Sequence, residues 1–134
     1  MNDVNKCKYR PGQVWDYKTR PSEPLSTLTI LKVWTTRLDK TVVHIAIDDV
    51  HITDLTGEEI AHCISHVPIF QEALDRSVTK LVKESGPIPD FAEAYADWKA
   101  GVGAICIKTA AEIVSLTEDT CRYGTEEPEQ EGDD

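Results

Sequence analysis

An α+β fold with a largely antiparallel sheet is predicted, on three observations. The first half of the chain is a series of β-type runs separated by turn residues. The apolar spacing switches to a helical period at Phe70. Strand-like and helix-like segments are segregated along the chain, a pattern that belongs to α+β architectures rather than to βαβ alternation. The strands are short and start from a Pro-Gly turn, so the expected form is a curled, small-barrel-like sheet with two helices. An acidic C-terminal tail, expected to be disordered, follows. Residues 1–123 are read as a single domain and 124–134 as the tail.

Residues 1–10 read as a leading arm. Gln13 to Thr19 is the first strand, with Trp15 and Tyr17 on one face and Val14 and Asp16 on the other. Arg20 to Pro24 forms a stiff loop, because Pro21 and Pro24 remove ladder donors. Thr27 to Arg37, rich in Thr, Val, Ile and Trp, is the longest strand candidate. Leu38-Asp39-Lys40 turns it into Thr41 to Asp48, giving a hairpin. On that partner strand Val43, Ile45 and Ile47 share one face, and Val42, His44, Ala46 and Asp48 the other. A turn at Asp54 to Glu58 leads to a strand from Glu59 to Val67, ended by Pro68. Phe70, Ala73, Leu74, Val78, Leu81 and Val82 then recur at helical spacing, until Gly86-Pro87-Ile88-Pro89 breaks the run. Asp90, with Glu93 three residues on, has the form of a capping box for a second helix with an apolar side of Phe91, Ala94, Tyr95 and Trp98. Gly103 to Thr109 reads as a last buried strand, and Ala110 to Glu118 as a short, less regular helical segment.

Composition bounds the function. The 134 residues carry a formal net charge of −10. Six of those negative charges lie between Glu126 and Asp134, which leaves −4 on the rest. A mildly acidic body disfavours a nucleic-acid surface, whose affinity comes from Lys and Arg neutralising phosphates. It suits a basic protein partner instead. A homo-oligomer is also compatible with the sequence. No apolar run approaches the ~20 residues of a membrane span, and Met1 to Lys6 lacks the apolar centre of a signal peptide, so a cytoplasmic location is expected. Cys7, Cys63, Cys106 and Cys121 form no C-x-x-C pair and are expected to be free thiols, Cys106 as a core residue. No cofactor is implied: neither phosphate-loop signature occurs, nor a G-x-S-x-G element.

Pro11-Gly12-Gln13-Val14-Trp15, Tyr17-Lys18-Thr19-Arg20-Pro21, Glu23, Ser26-Thr27-Leu28-Thr29-Ile30 and Lys32-Val33 make a distinctive block. Val43-His44-Ile45, His66-Val67-Pro68, Glu72-Ala73-Leu74, Ser77-Val78, Tyr95 and Trp98 extend it. On these residues the chain resembles an uncharacterised family of small bacterial proteins, a resemblance that implies no activity. Pro24 and Leu25 depart from it, standing where the family carries an acidic or small residue. The Pro-Gly-x-Val-Trp opening is also similar, over a few residues, to the first strand of small toxin-type ribonuclease barrels.

Three constellations carry candidate chemistry. Arg20 and Glu23 flank Pro21, as an anion or carboxylate clamp or as a salt bridge pinning the loop. Joined by Tyr17, Ser26 or Thr27, and His66, they compose a candidate acid–base pocket. His62 and His66, four apart with Cys63 between them, are metal-ligand candidates, to be completed by His44, His51 or a carboxylate. The alternative is a hydrogen-bonded His66 at the corner before Pro68 and a solvated His62. Trp15, Tyr17, Trp34 and Trp98 supply an aromatic platform or a packed core. Binding candidates are therefore Trp15, Tyr17, Arg20, Glu23 and His66. The leading reading is a non-enzymatic binding protein, in concrete form an immunity-type inhibitor of a basic protein. The alternatives are a small nuclease- or hydrolase-like barrel enzyme using Arg20, Glu23 and His66, or a histidine-based metal-binding protein.

Overall fold

The computed structural model describes residues 7–101 and 103–124, so the acidic run expected as a disordered tail lies outside the described residues except for Gly124. Five strands and three helices follow in the order β1 (Val14–Tyr17), β2 (Thr27–Thr35), β3 (Thr41–Thr53), β4 (Glu59–Phe70), α1 (Gln71–Asp75), β5 (Val78–Lys83), α2 (Ala92–Ala100) and α3 (Ala110–Tyr123). The strands form one antiparallel sheet in the order β4-β3-β2-β1-β5. The fold is thus α+β. The sheet is open rather than a closed barrel, and β4 and β5 are its two edges.

The Pro11-Gly12 turn does lead into β1. Gly12 has φ 96°, and an added Cβ would lie 3.0 Å from the Gly86 carbonyl oxygen. Only glycine permits both the conformation and that approach. Trp15 and Tyr17 face the core, where Leu28, Ile30, Val43, Ile45, Ile47, Val50 and Ile52 join them from β2 and β3. α3 closes this face with Ala110, Ile113 and Val114, and α1 adds Ala73 and Leu74. A capping box starts α3: the Thr109 hydroxyl accepts from the Glu112 N–H, and the Glu112 carboxylate accepts from the Thr109 N–H at 2.8 Å.

Several elements differ from the sequence expectation. The helical run from Phe70 stops at Asp75, and Val78–Lys83 is a strand. Trp15 and Tyr17 on β1 lie opposite Leu81 and Val78 on β5, with irregular register on either side. A bulge therefore sets a three-residue apolar spacing against a two-residue one, and that spacing imitates a helix. Pro68 does not end β4, which continues to Phe70. Its neighbour on the free side is Cys106, whose N–H donates to the Pro68 carbonyl at 2.9 Å. The proline nitrogen faces the same side, the position in which an edge strand tolerates it. Among the described residues Cys106 makes only this isolated bridge, so the last buried strand reduces to one residue, and Ile107 is exposed. The Asp90 carboxylate accepts from the Ala92 N–H at 3.1 Å, but α2 starts without a side-chain cap from Phe91, so no capping box forms there. α3 runs to Tyr123, beyond Glu118, as a third helix.

Candidate functional site

The Arg20 loop is held by a buried ion network. The Glu23 side chain is fully buried and accepts from Arg20 Nε at 2.6 Å and Nη2 at 3.1 Å. It also accepts from the His51 N–H at 2.7 Å, while Arg20 Nη2 donates to the His51 carbonyl at 3.1 Å. The third arm of the guanidinium, Nη1, reaches Glu118 on α3 at 2.8 Å. Burial alone would raise the Glu118 pKa, but the Thr53 N–H, Arg20 and the Thr53 hydroxyl outweigh it and hold the carboxyl at about 2. Every fork of Arg20 is thus spent inside the molecule. The arrangement pins the loop and α3 to β3; a carboxylate ligand would have to displace one of the two resident ones.

Trp15 and Tyr17 are equally committed. Trp15 is 8% exposed, and its indole N–H donates to the buried Gln13 side chain at 3.0 Å. Tyr17 is 5% exposed and bonds Ser26 Oγ at 2.8 Å, while Ser26 Oγ donates to the Asp48 carbonyl. Both are core residues, so they offer no platform to a ligand.

His66 belongs to a different network, on the opposite face of the sheet. There the Trp34 indole N–H donates to His44 Nε2 at 2.7 Å, and His44 Nδ1 lies 2.7 Å from His66 Nε2. The indole can only donate. His44 must therefore carry its proton on Nδ1 and donate it to His66, whose proton is then on Nδ1. The order of the chain is Trp34, His44, His66. Phe91 and, from α2, Tyr95 and Trp98 cover it: the Trp98 ring stands 5.0 Å from His44, and Phe91 stacks on His66 at 6.0 Å. His44 is fully buried. Burial first, then His66 and Lys32, depress its pKa to about 4. Burial also lowers that of His66. The nitrogen that would serve His66 as a base already accepts from His44.

His66 consequently shares no contact with the Arg20–Glu23 pair, and the acid–base pocket composed from the three in sequence is not assembled. His62 and His66 are separated as well. The β3–β4 register is irregular between Ile64 and Val67, which breaks the even strand spacing that would align them. His62 instead pairs with Glu59 at 2.8 Å, and Glu59 also meets His51 at 2.7 Å. Among the described residues no group of three or more His, Cys, Asp or Glu side chains is placed to hold a metal ion.

The site that sequence reasoning passed over is the outer face of α2. Asp90, Glu93 and Asp97 line a cleft of about 300 Å³ with Ser65 of β4, Phe91 and Ala94. The signal was present in the chain: carboxylates at i, i+3 and i+7 lie opposite the apolar side of Phe91, Tyr95 and Trp98. His44 was signalled too, as a histidine between Val42 and Ala46 in the middle of the strand. No helix among the described residues is long and apolar enough to cross a membrane. In comparisons with known proteins, no family model, no curated protein and no solved structure matched the chain.

Proposed function

We propose that this chain is a small cytosolic binding protein that engages a basic protein partner, as an immunity-type inhibitor does. The observation that carries this reading is the acidic cleft of α2. It presents three carboxylates and an aromatic ring together at the surface, with no Lys or Arg among its lining residues. Such a surface accelerates encounter with a cationic partner and selects against anionic ones. The polar groups that sequence analysis offered to an enzyme are instead engaged in internal hydrogen bonds, Arg20 and Glu23 in one network and His66 in another. Four free cysteines fit a reducing compartment.

The test is a titration of a fluorescein-labelled lysine-rich peptide into the intact protein and into the Asp90→Asn/Glu93→Gln/Asp97→Asn variant. The reading expects binding to the wild-type chain that weakens steeply as salt rises from low to about physiological strength. The neutralised variant should lose at least about tenfold in affinity, roughly 1.4 kcal/mol. Equal binding by both proteins, or salt-independent binding, would contradict it.

A further inference from the structure

We propose that the free outer edge of β4 accepts an extended segment of the basic partner as a sixth strand, with apolar and basic side chains alternating along that segment. This rests on the binding reading above and specifies how the partner is held.

The edge itself is the first observation. Among the described strands, β4 is flanked by β3 alone. Among the described residues, the one backbone neighbour on its other side is Cys106, which bridges Ile69 in the parallel sense. Cys106 donates to the Pro68 carbonyl at 2.9 Å and accepts from the Phe70 N–H at 3.0 Å. The chain's own strand addition thus starts at the C-terminal end of β4 and stops after one residue. From Glu59 to His66 no backbone hydrogen bond among the described residues reaches that outer side. At roughly 3.3 Å per residue, this is about 25 Å of unpaired edge.

The second observation is that the two faces beside this edge differ in kind. On the α3 side runs an open groove of about 320 Å³, lined by Ile64, Val67, Cys106, Ile113 and Leu116 among others. Leu116 is 48% exposed there despite its size. On the α2 side lies the acidic cleft of Asp90, Glu93 and Asp97, which reaches β4 at Ser65. Neither is lined by a Lys or Arg. Successive side chains of an added strand point to opposite faces of a sheet. Where the free edge passes Ile64 to His66, alternate residues of an added strand therefore face the apolar groove, and the ones between them the carboxylates. Backbone pairing supplies affinity, and the two unlike faces supply the pattern.

Charge selects the occupant. A second copy of the chain, paired edge to edge, would bring one acidic cleft against another. The chain's own run from Glu126 to Asp134 contains six carboxylates and no base. A basic segment complements the site where both of these oppose it.

Fluorescence anisotropy with three labelled eight-residue peptides tests the proposal: alternating Val-Lys, a Val block followed by a Lys block, and the alternating peptide N-methylated on all backbone amides. The intact protein should bind the alternating peptide at least tenfold more tightly than either other form. Leu116→Asp on one face, and the Asp90→Asn/Glu93→Gln/Asp97→Asn variant on the other, should each weaken it at least tenfold. Equal affinity for all three peptides, with loss only on neutralising α2, would overturn strand addition and leave acidic docking standing. An alternating peptide indifferent to that neutralisation would overturn both. No binding of the alternating peptide to the wild-type chain would also overturn the proposal. So would a dimer through β4 seen in sedimentation, or binding that needs residues 125–134 removed, since these identify the occupant as a second copy or the chain's own C-terminal residues.

Discussion

His44 is neutral because of what surrounds it. Its Nε2 accepts from a group that can only donate, so protonating it would set two N–H groups against each other at 2.7 Å. A histidine whose folded pKa lies near 4, against 6.5 for the unfolded chain, stabilises the fold fully above about pH 6.5. That contribution declines as pH falls toward 4, because the unfolded chain then binds the extra proton. The loss should approach about 3 kcal/mol, with the lowered pKa of His66 adding in the same direction. Urea unfolding between pH 7.5 and 4.5 checks this: stability should fall with pH in the wild-type protein, and His44→Leu should flatten the slope. A wild-type curve level across that window would contradict the relay.

The Arg20 network makes a second prediction at the same scale. Arg20→Met leaves Glu23 buried without its cation and Glu118 with only the longer Arg122 contact at 3.6 Å, and should cost about 3–5 kcal/mol by denaturant titration. A loss below about 1 kcal/mol would mean that the pair behaves as a surface ion pair. The Arg20–Glu23 contact was legible in the sequence because only Pro21 and Ser22 separate the two. Their partner Glu118 was not legible, since it stands 98 positions along the chain from Arg20. The His44–His66 contact was hidden for a related reason: it depends on a bulged cross-strand register that side-chain pattern does not encode.

At the scale of elements, the strands came through best where β-branched and aromatic residues are dense between turn signals, as in β1, β2 and the first part of β3. β3 continues past Asp48 because Asp49 adopts φ 57°, a left-handed conformation that Asp tolerates. This local device lets Val50 and Ile52 reach the core. The segment from Val78 to Lys83 misled because one apolar pattern serves a helix or a bulged strand, and only pairing with β1 decides between them. Thr79, exposed on β5, discriminates directly. Thr79→Ala should destabilise the protein by about 0.5–1 kcal/mol, since threonine suits a strand and alanine a helix. Stabilisation by this substitution in thermal unfolding would favour the helical alternative.

The whole molecule is an open sheet with different cover on its two faces. α3 and α1 seal the apolar face. α2, none of whose residues is fully buried, lies over the histidine relay and turns its carboxylates outward. Fold class was legible because segregation and period survive in a single sequence. The site was not, because it arises where α2, β4 and α3 meet around a free edge, and sequence spacing alone does not say which strand is left unpaired. The charge is also unevenly placed: Lys80 and Lys83 lie on the β5 edge, and Asp90, Glu93 and Asp97 on the α2 side. A cationic ligand should therefore find one edge of the sheet and avoid the other. A ¹⁵N–¹H correlation titration with a lysine-rich peptide locates it directly. Binding at the acidic cleft predicts amide shifts concentrated in Ser65, His66 and Asp90–Trp98, with Val78–Lys83 unmoved. Shifts centred on β5, or spread evenly over the surface, would contradict it.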